Sequence, residues 1–141
     1  MDTCAIPPKS GFFIYAEDDP DAVLLVRMAL RKINAEHLMI HCRDGEELIA
    51  RLTLPEARDD VPAFILLDVR MPKVDGFEVL RWIRGIQKLH TVPVVMLTSS
   101  PLARDIQRAQ ALGAGDYIVK PGSFDELCKT VASLVERFFR R

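Results

Sequence analysis

Short apolar runs and amphipathic stretches alternate five times along this chain. The runs are Phe12–Ala16, His37–Cys42, Ala63–Asp68, Val92–Leu97 and Asp116–Val119. Most are apolar in near-continuous blocks, as strands covered on both faces should be, so they are read as parallel strands. The second, HLMIHC, alternates and fits a sheet edge best. Helical patterns with legible starts lie between and after the runs. Asp19 followed by Pro20 supplies an N-cap and a first-turn proline, after which Val23, Val26, Leu30 and Ile33 share one face. Asp44 with Glu47 opens a second helix, Asp75 with Glu78 a third, and Ser100-Pro101 a fourth. Ser123 with Glu126 forms a capping box for the fifth. On that helix Leu127, Val131, Leu134, Val135 and Phe138 form the inward stripe, with Phe139 off it. The fourth helix is only modestly apolar, through Leu102, Ile106, Ala109 and Leu112.

A β-α unit repeated five times implies an α/β fold, a parallel sheet with helices on both faces. Residues 1–11 read as a tail, residues 12–141 as the folded unit, and 55–61, PEARDDV, as a polar connection. In an open parallel sheet, chemistry gathers outside the carboxyl ends of the strands. The first run ends in Glu17-Asp18-Asp19, the third in Asp68, the fourth in Thr98-Ser99 and the fifth in Lys120-Pro121. All of these should crowd one edge.

Composition narrows the picture. A length of 141 residues suits one domain, and 49% apolar residues can build a core. A net charge of −1 argues against a general nucleic-acid binder. No apolar run approaches the ~18 residues that a membrane span needs. The start, MDTCAIPPKSG, lacks the pattern of a secretory signal. Cys4, Cys42 and Cys128 are odd in number and share no CxxC spacing, which fits free thiols in a reducing cytoplasm.

Glu17, Asp18 and Asp68 in one pocket would repel one another, and a hard divalent cation relieves that repulsion. Carboxylate oxygens suit Mg2+, which keeps several waters and often shares its shell with a phosphate. Lys120 adds a positive charge and Thr98 a hydroxyl donor. Such a site stabilises negative charge on phosphoryl oxygens, with Asp68 as the nucleophile that forms an acyl phosphate. Taken singly, each piece has a plainer reading. A strand-end aspartate is often a cap, an acidic pair before a helix complements its dipole, and Lys-Pro is a turn. Their convergence at strand ends is what points to chemistry.

The motifs stand in order: AEDDP after the first strand, LLDVRMPKVDG around the third, VVMLTSS at the fourth and GAGDYIVKP at the fifth. With them the chain, from about Phe12 to Leu134, resembles the receiver domain of two-component response regulators. It is most similar to the small stand-alone receivers that partner phytochrome-type histidine kinases. The resemblance implies a flavodoxin-like, doubly wound (βα)5 sheet of five parallel strands in the order 2-1-3-4-5. It implies Asp68 as phosphoacceptor, and Mg2+ held by Asp18, by Glu17 directly or through water, by Asp68, and by the backbone carbonyl of Arg70. Lys120 would contact the phosphoryl group and pair with Asp68 beforehand, after a cis Lys120-Pro121 bond. Thr98 would move to the phosphoryl group and Tyr117 would change rotamer with it. That would remodel the face made by the fourth helix, fifth strand and fifth helix, where a homodimer could also form.

A cytoplasmic signalling protein rather than an enzyme is implied, with a sensor histidine kinase as partner and no direct DNA or membrane contact. A phosphorelay intermediate and a phosphorylation-independent interaction domain stay as alternatives. Three departures stand out: Gly122 where many receivers carry a bulky apolar residue, Glu17 where aspartate is frequent, and Arg70 overhanging the site. A dehalogenase-type phosphohydrolase would want an aspartate at Arg70's position. A flavodoxin-like cofactor binder would want a phosphate-cradling loop where Glu17-Asp18-Asp19 stands.

Overall fold

The apolar runs do become strands, and their residues divide by parity between two cores. The computed structural model describes residues 11–54 and 61–139, so all but the last residue of the tail and of the 55–61 connection lie outside the described residues. The elements are β1 Phe13–Ala16, α1 Pro20–Arg31, a single 3-10 turn Glu36–Leu38, β2 Met39–Cys42, α2 Gly45–Thr53, β3 Ile65–Leu67, α3 Gly76–Gly85, β4 Val94–Thr98, α4 Ala103–Ala111, β5 Asp116–Val119 and α5 Phe124–Phe139. The sheet order is β2-β1-β3-β4-β5, and every pair is parallel. Ile14, Ala16, Ile65, Leu67, Val94 and Met96 face α2, α3 and α4. Their strand neighbours Phe13, Tyr15, Leu66, Val95 and Leu97 face α1 and α5. Period-two alternation on a sheet covered on both sides accounts for the continuous apolar blocks.

Helix starts follow the expected chemistry at four of five places. Asp19 accepts the Asp21 N–H at 2.9 Å, with Pro20 at the first helical position. Asp44 accepts the Glu47 N–H at 2.8 Å. Asp75 and Glu78 form the complete reciprocal box, and Ser123 accepts the Glu126 N–H at 3.2 Å. The fourth helix departs from its expected start at Ser100-Pro101. It begins at Ala103 after Leu102, which has no capping side chain, and it buries Asp105 and Ala109 while Leu102 stays exposed. Ser100 takes over the cap: its hydroxyl accepts the Leu102 N–H at 3.4 Å and donates to the Asp105 carboxylate at 2.5 Å.

Three further expectations need correction. His37 sits in the 3-10 turn, because β2 pairs with β1 only from Met39 onward. Phe139 is not off the packed face: Phe138 stacks on Phe64 at 4.7 Å, and Phe139 lies 6.1 Å from Phe64 and 6.3 Å from Phe13. The last turn of α5 seats both rings against the start of β1 and the lead-in to β3. No cis peptide bond occurs among the described residues, so Lys120-Pro121 is trans, the lower-energy isomer. Cys42 is buried and Cys128 half-buried, both as free thiols, while Cys4 lies outside the described residues. Burial pushes the Cys42 thiol up to about 12. No helix among the described residues is long and apolar enough to cross a membrane.

Gly76 shows how tightly the loop after β3 is held. Its N–H donates to the Val69 carbonyl at 2.9 Å, and a Cβ there would collide with the Asp68 carbonyl oxygen. Because that obstacle is backbone, Gly76→Ala is expected to lower stability by about 1–3 kcal/mol. Gly122→Ala, where a Cβ meets nothing within 4 Å, should stay within about 0.5 kcal/mol. Urea unfolding of both variants beside the parent chain measures the contrast.

Candidate functional site

Strand ends deliver four charged groups to one place. The ladder continues past the strands: Glu17 N–H donates to Cys42 O at 3.0 Å, Asp68 N–H to Ala16 O at 3.2 Å, and Lys120 N–H to Thr98 O at 2.8 Å. Backbone position is therefore fixed by the sheet rather than by side-chain chemistry, including that of Lys120 without a cis bond. Carboxylate oxygens of Glu17, Asp18 and Asp68 lie within 4.8 Å of one another. Glu17 and Asp68 are buried, whereas Asp18 is exposed. Asp19 turns away to cap α1, and its N–H donates to Glu17 Oε2 at 3.2 Å.

The Lys120 ammonium bridges the two buried carboxylates, donating to Glu17 Oε1 at 2.6 Å and Asp68 Oδ2 at 3.2 Å. Its expected partner was Asp68; the closer contact is Glu17. Burial of Glu17, with the Asp68 charge beside it, raises its carboxyl above the usual range despite the opposing pull of Lys120. Burial works against the Lys120 charge too, but the Glu17 and Asp68 carboxylates outweigh it and hold its pKa above the ordinary lysine value.

Two residues that sequence reasoning passed over complete the cradle. Tyr15 is fully buried and its hydroxyl donates to Glu17 Oε1 at 3.2 Å. Burial, then the Glu17 charge, push the phenol up, which keeps it a neutral donor. His41 lies opposite Tyr15 in the β1–β2 register, and its Nε2 bonds the Glu17 carbonyl at 2.8 Å. Tyr15 stands two residues before Glu17 and so shares its face, a signal present in the sequence. His41 becomes visible only once the register is known.

Thr98 is the last residue of β4 and buried, and its Oγ1 accepts the Ser100 N–H at 3.4 Å. Tyr117 is half-buried, and its hydroxyl donates to the Ser100 carbonyl at 2.8 Å. These two residues therefore meet on the Ser100 segment. The Arg70 N–H donates to Asp68 Oδ1 at 3.3 Å, and its side chain, 71% exposed, reaches toward Asp105 at 3.9 Å.

A model of the response regulator receiver domain matches residues 13–132. The chain belongs to that family. This receiver is 35% identical over 124 residues to the probable methanogenesis regulatory protein FilR2 of Methanothrix harundinacea, covering 87% of this chain and 80% of that protein. Against two longer transcriptional regulatory proteins it spans 33% and 45% of their length. Among solved structures, the phosphorylated cyanobacterial phytochrome response regulator RcpA superposes with a TM-score of 0.81 at 31% identity, over 92% of this chain and 94% of that one. The Mn(2+)-bound form of response regulator Rcp1 gives 0.80 at 30% identity, over 92% and 95%. The receiver is thus similar to phytochrome-associated response regulators in sequence as well as fold, and its family is one of signalling proteins.

Two predictions follow from the charge geometry. Lys120 is the cation shared by Glu17 and Asp68, so Lys120→Met in metal-free buffer should lower stability by about 1–3 kcal/mol, because two buried carboxylates then face each other. Adding Asp68→Asn should regain part of that loss in chemical unfolding. The pH dependence has a defined sign. A carboxyl whose folded pKa is raised binds more protons in the folded state, so its contribution falls as pH rises through the unfolded value of about 4.3 toward the raised one. Glu17→Gln should flatten that acid-side fall in metal-free unfolding curves. Lys120 adds no slope there, since its contribution is complete below about pH 10 and is lost only above.

Proposed function

We propose that this receiver accepts a phosphoryl group on Asp68 from the phosphohistidine of a sensor kinase, in a Mg2+-dependent reaction. The observation that carries this reading is the buried Asp68 carboxylate held at a strand end between Lys120 and the Glu17–Asp18 pair. An Asp68 oxygen attacks phosphorus in line, the phosphorus–nitrogen bond to histidine breaks, and the imidazole nitrogen leaves with the electron pair. Lys120, already 3.2 Å from Asp68 Oδ2, neutralises charge on the phosphoryl oxygens without moving far.

The donor set fits a hard divalent ion: all-oxygen ligands, like charges in need of a counter-ion, and one exposed carboxylate, Asp18, through which the ion can enter. Asp18, Glu17, Asp68 and the Arg70 carbonyl would hold it, and when bound it would offset charge on the transferring phosphoryl oxygens. Because Glu17 Oε1 already receives both Lys120 and Tyr15, direct ligation falls mainly to Asp18 and Asp68. RcpA is described as phosphorylated and Rcp1 as Mn(2+)-bound, which supports both halves of the reading for a similar chain. The same likeness favours a phytochrome-type kinase as donor, hence a cytoplasmic setting.

The output in this reading is a change in the surface of α4, β5 and α5. Thr98 gives up the Ser100 N–H and turns its hydroxyl to the phosphoryl group. Tyr117 follows because both residues hold the same short segment.

Intact-protein mass after incubation with acetyl phosphate tests the proposal. A gain of one phosphoryl group is expected with Mg2+, but not with chelator, nor in Asp68→Asn. Asp18→Asn should retain the fold and lose most of the labelling. No gain in the folded parent chain, with Mg2+ and with a panel of histidine kinases, would overturn the reading.

A further inference from the structure

Arg70 stands two residues after Asp68, and its side chain runs away from the carboxylate triad toward α4. Its Nη2 lies 3.9 Å from Asp105 Oδ2. Asp105 is only 8% exposed, an unusual burial for a carboxylate on a helix with so little apolar anchoring. Its side chain has two partners among the described residues, the Ser100 hydroxyl and Arg70. That same Ser100 hydroxyl accepts the Leu102 N–H, and the Leu102 carbonyl accepts the N–H groups of Asp105 and Ile106 at 3.0 and 3.1 Å. The first turn of α4 therefore hangs on Ser100 and Asp105, and Arg70 supplies the positive charge nearest that buried carboxylate.

Between the β3–α3 loop and α4 lies an open groove of about 610 Å³, with Asp18, Arg70, Phe77, Asp105 and Arg108 among its walls. It leaves the Arg70 side chain room to move between Asp105 and the Asp68 pocket. At the far end α4 is fixed differently: Arg84 donates to the Gly113 carbonyl at 2.7 and 3.1 Å and to Val92 O at 2.8 Å. One end of the helix is bracketed by Arg84, and the other rests on the Ser100–Asp105 hydrogen bond and a long Arg70–Asp105 ion pair.

Building on the receiver reading, we infer that Arg70 is a positioning residue that passes from Asp105 to the phosphoryl group, and that this transfer releases the first turn of α4. A phosphoryl group carries nearly two negative charges and several acceptor oxygens, so it outcompetes a single carboxylate for an exposed guanidinium. The Arg70–Asp105 contact is long and open to solvent on the Arg70 side, so the phosphoryl contacts outweigh its loss. Asp105 then keeps a buried charge with only a hydroxyl partner, and relaxes by turning toward water and opening the turn that it caps.

Residue-resolved amide hydrogen exchange on the chain, with beryllium trifluoride and Mg2+ as the aspartyl-phosphate mimic, tests this. Arg70→Ala lies on the surface and should fold normally. Without the mimic it should speed exchange of the Ile106 amide about two- to fivefold. In an Asp105→Asn background the same change should add nothing, as coupled partners require. In the parent chain the mimic should raise Ile106 exchange to the Arg70→Ala level, and in Arg70→Ala it should raise it no further. Equal exchange in Arg70→Ala and parent, or an undiminished Arg70→Ala effect beside Asp105→Asn, would overturn the inference. Fluorine NMR of the bound mimic separates the two failures. No bound signal sinks the receiver reading and the transfer with it; a bound signal with Ile106 unmoved sinks the transfer alone.

Discussion

The Lys120 ammonium between Glu17 and Asp68 is the contact on which the rest of the site depends. A parallel sheet delivers the ends of β1, β3 and β5 to one edge, and in this chain two of those ends carry buried carboxylates. Two such groups in one low-dielectric pocket are costly unless a cation joins them. Lys120 meets that need with a contact to each. Tyr15 and the Asp19 N–H add donors to Glu17. The site is therefore an over-acidic pocket held together by one lysine and a few neutral donors. That leaves unrelieved negative charge at exposed Asp18, where a divalent ion would bind most favourably.

Much of this was legible because it rests on local rules. Continuous apolar blocks reported strands covered on both faces, and carboxylates three residues before a glutamate reported helix starts. The ends of the blocks named Glu17, Asp18, Asp68, Thr98 and Lys120. What escaped had non-local causes. His41 reaches the Glu17 carbonyl, 24 residues away in the chain, through the β1–β2 register. Phe139 was assigned off the packed face by helical periodicity, yet two aromatic rings, Phe13 at the start of β1 and Phe64 before β3, draw the final turn inward. His37 alternates like a strand residue but lacks a partner on β1.

Asp105 is the most instructive omission. Helical periodicity assigned the inward face of α4 to Leu102, Ile106, Ala109 and Leu112, and a carboxylate has no place in such a stripe. Its burial arises because the segment between β4 and α4 brings the Ser100 hydroxyl onto its carboxylate before the helix begins. There Ser100 and Tyr117 already supply hydrogen bonds. A polar residue at the third position of an uncapped helix can then do the work of a cap. No pattern restricted to one helix contains that information, since it depends on where the preceding loop goes.

On the proposed reading, the contrast between α3 and α4 explains why phosphorylation would move one and not the other. The third helix buries Phe77, Val79, Leu80 and Ile83 against the sheet. At about 1.5–3 kcal/mol for each large side chain, that anchor far exceeds what one modification can supply. The fourth helix buries a single apolar side chain, Ala109, beside the polar Asp105. Its position is thus decided by a few hydrogen bonds to Ser100 and Asp105, each worth about 0.5–3 kcal/mol. That is the same scale as the charge-assisted bonds a phosphoryl group makes. A helix held mainly by polar contacts responds to a change in charge, whereas one held by packing does not, and Arg70, two residues after Asp68, reaches the first turn of the polar one.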